Sequence, residues 1–415
     1  MKRINPLFGL LLLVIMIMSC GKSSVKPNPG PGINLILSAT EQQQATADNA
    51  FTLNLFKTVQ SADNSGDNLF LSPLSVSFAL GMTSNGAKGA TLDGIKSTLD
   101  FTGFTQDEIN SYYNKLITEL PKLDPQTTLN IANSIWYKQG FSVLPQFLQI
   151  NTSYFNANVQ ALDFSNPSSV NTINSWVSGA TNGKIPQIVA QILPDDRMYL
   201  INAIYFKSVW GSKFDQSQTK PMPFYLAGGS TVQTDFMMGD AINYNFYATD
   251  NATVIELPYV NNKYSMVIIE PTGSNTLNNV VSSLDTATWN SWMQGLISRK
   301  GQVIMPKFKF SYSILLNNSL SALGMSDAFS KGADFTGIST AGGLQITKVQ
   351  HKAYIAVDET GTEAAAATSV TIGTSAIENP PTVTIDHPFI FVIREMKTGL
   401  IIFSGTVNNP QLAGS

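Results

Sequence analysis

Apolar positions recur with a helical period in the first third of the chain. Three residues follow one another at four-residue spacing: Phe51, Leu55 and Val59. This spacing predicts an amphipathic helix. A short apolar strand at 68–71 then meets Pro73, a residue that suits the first turn of a helix. The segment 76–82 is almost wholly apolar and predicts a buried helix.

Thr105 and Glu108 have the spacing of a capping box, which predicts a further helix. Its apolar face comprises Ile109, Tyr112, Leu116 and Leu120. Beyond it the apolar period changes to two, at Leu129, Ile131, Ile135 and Tyr137. This alternation predicts a half-buried strand. The segment 198–206 is apolar except for Asn202, as in a central strand that is covered on both faces.

The last third of the chain is dominated by strand patterns. Two strands are predicted at 254–260 and 264–270, and another begins at Val303. The apolar segments 388–393 and 400–403 flank a Lys-Thr-Gly turn and predict a buried hairpin. We find no internal repeat and no second domain.

One stretch combines features that rarely occur together. A strand at 353–357 runs into an acidic pair, a glycine, a run of alanines and an uncharged tract. With period two, one face is small and then apolar: Thr362, Ala364, Ala366, Thr368, Val370 and Ile372. The stretch could therefore be a loop that also enters a sheet as a strand. A helix or an alanine-rich linker is the alternative, because alanine favours helices.

The stretch resembles the proximal hinge of the inhibitory serpins. The matching residues are Glu359, Gly361, Thr362, Glu363, Ala364, Ala365, Ala366, Ala367 and Thr368. The segments 68–75, 320–339 and 386–394 also resemble serpin motifs, and the resemblance runs from about Asp48 to Pro410. It implies an α+β serpin fold, with helices around three β-sheets, in a single domain at 39–411. It also implies an exposed reactive loop at about 359–383 and a central sheet that the cleaved loop enters as a strand.

The resemblance implies a function as a suicide inhibitor of proteases. Counted from the hinge, the reactive bond is expected at Ser375–Ala376, within a window that includes Gly373, Thr374 and Ile377. These residues are small or apolar, and no lysine or arginine lies between Glu363 and Arg394. We therefore expect elastase-like or subtilisin-like targets, with cysteine proteases also possible. A non-inhibitory serpin that acts as a binding module is the alternative.

The resemblance also implies supporting residues around the central sheet. A cluster of four polar residues is expected to control where the sheet opens: Ser72, Ser75, Asn202 and His351. For His351, a hydrogen-bonded core residue is the plainer interpretation. Glu359 is expected to pair with Lys307, and an exposed pair would contribute little. Trp210 is expected to pack beneath the hinge, although simple core packing explains a tryptophan there equally well.

The N-terminus predicts export and a lipid anchor. A basic pair precedes an apolar run at 10–18, so residues 1–19 have the pattern of a secretory signal. Cys20 is the only cysteine and lies where a bacterial lipoprotein is cut and lipidated. An ordinary signal peptide is the alternative. Residues 20–38 are rich in proline and glycine and predict a tether. We expect a membrane-anchored bacterial lipoprotein at the outer membrane or the cell surface.

Composition argues against several other classes. The chain has 415 residues, a net charge of -3 and no basic cluster, which disfavours a nucleic-acid partner. Removing Lys2 and Arg3 with the signal leaves 23 basic and 28 acidic residues, a charge of -5. The chain contains two histidines and lacks a serine-hydrolase motif and metal-ligand spacing. We therefore expect a monomer that is not an enzyme and holds neither a metal nor a cofactor.

Overall fold

The computed structural model describes residues 30–63, 65–363 and 380–413. The α-helices are α1 (Ala39–Ala62), α2 (Pro73–Ser84), α3 (Gly89–Thr98), α4 (Gln106–Glu119), α5 (Pro145–Phe155), α6 (Ser168–Ala180), α7 (Leu277–Ser283), α8 (Thr286–Gly295) and α9 (Asn317–Leu320). The first eight strands are β1 (Leu69–Leu71), β2 (Thr128–Lys138), β3 (Asn158–Leu162), β4 (Met198–Val209), β5 (Lys220–Tyr225), β6 (Thr231–Met237), β7 (Ile242–Ala248) and β8 (Ala252–Pro258). The others are β9 (Tyr264–Pro271), β10 (Ile297–Pro306), β11 (Phe308–Leu315), β12 (Gln350–Val357), β13 (Gly361–Thr362), β14 (Thr382–Thr384), β15 (Phe389–Glu395) and β16 (Ile401–Val407).

The helices predicted from the apolar pattern are confirmed, and their ends follow local chemistry. Thr105 caps α4 in the predicted capping box with Glu108. Pro73 occupies the first turn of α2, and the hydroxyl of Ser72 accepts a hydrogen bond from the backbone N–H of Ser75. These side chains satisfy donors that a helix leaves free at its start.

Six strands form the smaller sheet, in the order β11-β12-β13-β4-β2-β3. The two-residue strand β13 is antiparallel to β12 on one side and to β4 on the other. Among the described residues, β4 and β12 share no ladder of their own, so β13 alone joins them. The smaller sheet is therefore held open along most of β4 and β12.

The α+β class is confirmed, but the prediction of three sheets needs a correction. The described strands outside the smaller sheet form one ten-stranded sheet. Strand β10 causes the continuity, because its first half pairs with β7 and its last residues pair with β6. Between these two regions β10 also pairs in parallel with β14. One long strand thus connects two groups of strands that were expected to be separate.

The main core lies between the helices and the two sheets. Helix α2 packs between β4 of the smaller sheet and β16 of the larger one. The ring of Phe70 stacks on those of Phe391 and Phe403 at centroid distances of 5.5 and 5.3 Å. A second apolar cluster, which includes Trp136 and Ile201, lies on the opposite face of the smaller sheet, beneath α6. Strand β4 is therefore covered on both faces, as its sequence predicts.

Several predicted boundaries shift. The strand expected at 254–260 ends at Pro258, and the strand expected to begin at Val303 starts at Ile297. The end of the predicted tether contacts the folded body, because the apolar side chain of Leu35 is buried and the N–H of Ile33 donates to the carbonyl of Leu123. Within the described ranges, no helix combines the length and apolarity needed to cross a bilayer.

Candidate functional site

The candidate site begins where β12 ends. Residues 358–363 are the part of the hinge that the structure describes. After Val357 the chain turns through Asp358, whose carboxylate accepts hydrogen bonds from the N–H groups of Thr360 and Gly361. The chain then returns as β13, with Thr362 opposite Val357. The hinge is therefore a tight hairpin whose second strand already lies beside β4.

Gly361 fits this position because the neighbouring backbone is very close. It lies opposite Val209 in β4. A Cβ atom at residue 361 would lie 2.1 Å from the carbonyl oxygen of Ser208. Any larger residue would push β13 away from β4.

Thr362 anchors the hinge from the core side of the sheet. It is 2% exposed, and its hydroxyl lies 2.6 Å from that of Tyr259. The ring of Tyr259 stacks on the indole of Trp210, with centroids 4.7 Å apart. Burial raises the pKa of Tyr259, so its hydroxyl stays protonated and available for this hydrogen bond.

Trp210 contacts the hinge directly. Its indole N–H donates to the carbonyl of Asp358, and its backbone N–H donates to that of Thr360, each at 2.9 Å. The side chain is also buried in the main core. The two interpretations of Trp210 from the sequence are therefore compatible: it belongs to the core and it supports the hinge.

Glu359 fixes the turn of the hinge on the other side. One carboxylate oxygen lies 3.1 Å from Lys307 Nζ, and the other accepts a hydrogen bond of 2.6 Å from the hydroxyl of Thr219. Burial would raise the pKa of Glu359, but Thr219 and Lys307 hold it below its ordinary value. The expected pair therefore forms, and its carboxylate is only 8% exposed, so the low value of a fully exposed pair does not apply to it.

The predicted opening cluster lies at the far end of β4 and β12. The backbone N–H of Ser72 donates to Nε2 of His351 at 3.1 Å, and the hydroxyl of Ser75 donates to the carbonyl of Asn202 at 3.5 Å. Burial lowers the pKa of His351 to about 4, so its imidazole is neutral at physiological pH. The four residues thus meet where α2, β4 and β12 converge.

One expected contact in this cluster is wrong. The side chain of Asn202 does not bond His351; its amide instead donates to Asn133 Oδ1 at 2.8 Å. The reason is register, since Asn133 in β2 lies directly opposite Asn202 in β4. His351 likewise bonds the backbone of Ser72 and neither serine hydroxyl.

A cavity of about 750 Å³ opens beside this cluster. Its lining includes Ser75, Asn202 and His351, together with the first residues of β4 and of β12. It lies at the end of these strands opposite the hinge. The open strand position therefore has β13 at one end and a cavity at the other.

Comparison with known proteins agrees with this geometry. The family model for "Serpin (serine protease inhibitor)" matches residues 46–410. The chain belongs to the serpin family. Iripin-8 of the tick Ixodes ricinus is 37% identical over 388 residues, which cover 90% of this serpin and 95% of Iripin-8.

Two further relatives differ in what their names describe. The leukocyte elastase inhibitor of Xenopus laevis is 34% identical, with 87% of this serpin and 97% of the relative covered. The crystal structure of human thyroxine-binding globulin with its ligand has a TM-score of 0.81 and 30% identity, and covers 90% of this serpin and 100% of that chain. The first name describes an inhibitor and the second a binding protein.

Several predicted residues of this serpin lie outside the described ranges. They are the later hinge residues Ala364, Ala365, Ala366, Ala367 and Thr368, the reactive-bond window Gly373 to Ile377 with Ser375–Ala376, and Cys20. Their roles remain predictions.

One group of possible metal ligands occurs in the described part of this serpin: Glu270, Asp386 and His387. A single oxygen of Glu270 accepts the backbone N–H groups of both Asp386 and His387 at 3.0 Å. The imidazole of His387 lies 2.6 Å from the carboxylate of Asp386 and stacks on Tyr225. These contacts account for the group as a cap on the turn before β15, and we assign no metal to it.

Proposed function

We propose that this serpin inhibits proteases by a suicide mechanism. The nucleophile of the target attacks the carbonyl of the reactive bond, predicted at Ser375–Ala376, and forms an acyl-enzyme. The amine of the new N-terminus leaves with the C-terminal part of the loop. The freed hinge side then enters the smaller sheet as a strand between β4 and β12, and it draws the attached protease along.

One observation carries this proposal: β13 already occupies the first positions of the strand that would form. Gly361 and Thr362 pair with β4, and Thr362 also pairs with β12. Beyond β13, the facing edges of β4 and β12 pair with no other described strand, so both edges are free to pair with an added strand. Strand addition supplies main-chain hydrogen bonds on both edges.

The register of β13 indicates where an inserted loop would lie. Thr362 faces Ser208 on β4 and Val357 on β12. Six residues further along the same antiparallel register, Thr368 would face Asn202 and His351, which belong to the opening cluster. The small residues of the hinge would thus pass along the sheet, and Thr368 would reach the polar cluster.

Relatives and composition support an elastase-like or subtilisin-like target. A similar relative is named leukocyte elastase inhibitor. The reactive window contains small or apolar residues, and a pocket with a buried carboxylate would lack a cationic partner there. Trypsin-like proteases are therefore disfavoured, and cysteine proteases of small-residue specificity are a further possibility.

The N-terminal sequence supports a site of action outside the cytoplasm. We propose that Cys20 of a bacterial precursor is lipidated and that residues 20–38 hold the serpin domain near a membrane, at the outer membrane or the cell surface. A Cys20→Ser chain should then be released from the membrane fraction in soluble form, whereas the unchanged chain should stay in the detergent phase. Equal partitioning of the two would contradict the anchor.

A binding function without inhibition is the second candidate, because the fold also matches the structure of thyroxine-binding globulin with a TM-score of 0.81. The hinge disfavours it. The positions expected to insert, Thr362, Ala364, Ala366 and Thr368, carry no bulky, charged or proline residue. A loop that never inserts would have no need for such uniformly small residues.

The deciding experiment mixes the purified protein with an elastase, a subtilisin-like protease and trypsin. We expect a covalent, detergent-resistant complex with the first two on denaturing gels. Mass spectrometry of the released C-terminal peptide should place the cut within 373–377. Clean cleavage without a complex, and without a gain in heat stability, would favour the binding function.

A further inference from the structure

The hinge holds a second buried carboxylate, whose partner the sequence motif does not indicate. The side chain of Glu363 is 3% exposed. Its backbone N–H donates to the carbonyl of Ala356 in β12 at 2.8 Å, so pairing extends one residue beyond β13. Its φ of 56° then turns the chain out of the extended conformation, as non-glycine residues rarely do. Glu363 therefore directly follows β13 and carries a buried charge.

Lys184 supplies the opposite charge. Its Nζ lies 2.9 Å from Oε1 of Glu363. The ammonium also lies 4.8 Å from the ring centre of Tyr354 in β12, within the range of a cation–π contact. Glu363 raises the pKa of Lys184, and burial together with Glu363 raises that of Tyr205 in β4 to about 12. The carboxylate thus lies between side chains of β4 and β12.

The backbone fixes Lys184 in this place. It follows α6, and its N–H donates to the carbonyl of Thr181. The next residue, Ile185, is buried in the apolar cluster beneath α6, and its N–H donates to the hydroxyl of Thr181. Lys184 therefore extends from a rigid connection and not from a free loop.

We infer that Lys184 is a positioning residue that keeps the hinge seated between β4 and β12 before any protease arrives. Without Lys184, the buried carboxylate of Glu363 would have no cation beside it among the described residues, and an uncompensated buried charge favours a solvent-exposed arrangement. The hinge would leave the sheet, and β13 would be lost. The functional consequence rests on the proposed inhibitory mechanism, but the seating of the hinge does not.

Hydrogen exchange of the full chain, without protease, tests the seating. The informative amides are those of Glu363, which bonds Ala356, and Trp210, which bonds Thr360. In Lys184→Met we expect both amides to exchange about tenfold faster or more, because the buried carboxylate of Glu363 loses its half-exposed cation and the local structure opens. Lys184→Arg should keep the protection. Adding Glu363→Gln to Lys184→Met should restore it, since no charge is then buried.

Lys352→Met is the matched control. Lys352 lies on the same strand and face as Tyr354, two residues away, and forms no salt bridge with a described residue. Its substitution should leave the exchange of both hinge amides unchanged. The inference would be overturned if the hinge amides exchanged at an unchanged rate in Lys184→Met. It would also be overturned if Lys184→Met and Lys352→Met lost protection to the same extent.

The same variants separate this inference from the proposed function. If the unchanged chain forms covalent complexes, Lys184→Met should need severalfold more inhibitor for each protease inactivated, and Lys184→Arg should not. If no protease forms a complex but Lys184→Met still releases the hinge, the inhibitory mechanism fails and the positioning role stands. If complexes form and the hinge amides do not respond, the positioning role alone fails.

Discussion

At the scale of single residues, the hinge is set by steric fit and by buried polar contacts. At Gly361 the backbone of Ser208 leaves no room for a side chain. Thr362 is small enough to be buried while its hydroxyl bonds that of Tyr259. Glu359 and Glu363 carry charges into the site, and each meets a lysine. Every described hinge residue that points inward therefore has a partner that suits its size and polarity.

Thr362→Arg should convert the inhibitor into a substrate. The guanidinium would have to enter the main core beside Tyr259, where burying an unpaired charge is strongly unfavourable. We expect rapid cleavage by the target and little covalent complex on denaturing gels. Thr382→Arg, an exposed change at the other end of the loop, should retain inhibition. If Thr362→Arg inactivated the protease with the same number of inhibitor molecules per protease as the unchanged chain, the assignment of the hinge would be contradicted.

Sequence resemblance located some residues of this site and missed others. It pointed to Trp210, Lys307 and Glu359 because these stand in recognisable motifs. Thr219 and Tyr259 were missed, since they meet the hinge across 140 and 103 residues of chain and belong to no local pattern. Lys184 was missed as well, because it meets Glu363 across a long stretch of chain and no local pattern indicates the pair.

At the scale of elements, α2, β4 and β12 meet at His351. This histidine lies on the core face of β12, and the N-terminus of α2 donates to its ring. The neutral imidazole therefore joins a helix to the strand that borders the open position. Protonation would place a charge among buried groups and turn an acceptor into a donor that faces another donor.

This arrangement predicts that His351 lowers the free energy of unfolding in mild acid. The pKa of His351 is about 4 in the folded protein and about 6.5 when unfolded, so the unfolded state binds the proton first. His351 does not reduce the free energy of unfolding above about pH 6.5. Its contribution becomes increasingly unfavourable as the pH falls toward 4. At pH 5 the loss is on the order of 2 kcal/mol.

Urea denaturation at pH 7.5 and pH 5.0 measures this effect. His351→Gln should lose less stability between the two values than the unchanged chain does. His387→Gln removes the other histidine, which is mostly exposed, and should leave the pH dependence as it was. If the free energy of unfolding changes by the same amount between the two pH values in all three chains, His351 does not couple pH to stability.

The sequence predicts some of these strands and misses others. Strands with strong apolar runs, such as β4, β8, β9 and β15, were predicted because both of their faces are buried. Strands β5, β6 and β7 were not, because they are partly exposed and carry mixed polar residues. β13 has only two residues, and tertiary pairing rather than local pattern creates it.

At the scale of the whole molecule, the proposed mechanism requires the described state, with its open strand position, to be less stable than a state in which that position is filled. An inserted loop would form about ten backbone hydrogen bonds, each worth roughly 1 kcal/mol net. The gain, on the order of 10 kcal/mol, is comparable with the stability of an entire domain. This difference is the source of energy for the proposed mechanism.

Cleavage of the reactive loop should therefore raise the melting temperature by roughly 10 °C or more, because an unfolding entropy of about 2.1 cal/mol/K per residue makes each kcal/mol worth about 1–2 °C in a domain of this size. Differential scanning calorimetry before and after limited proteolysis measures the shift. Thr362→Arg, cleaved in the same way, should gain far less. A cleaved, unchanged chain that melts at its original temperature would show that the loop does not insert.

The pairing of β1 with β16 has a consequence for how the chain is made. Leu69 faces Thr406, and β15 fills the place between β16 and β9 in the middle of the larger sheet. Ribosomes deliver β15 and β16 last, so the larger sheet stays divided until synthesis is nearly complete. Pairings over such long separations also form slowly. Folding of the larger sheet is therefore expected to finish only after these last strands have left the ribosome.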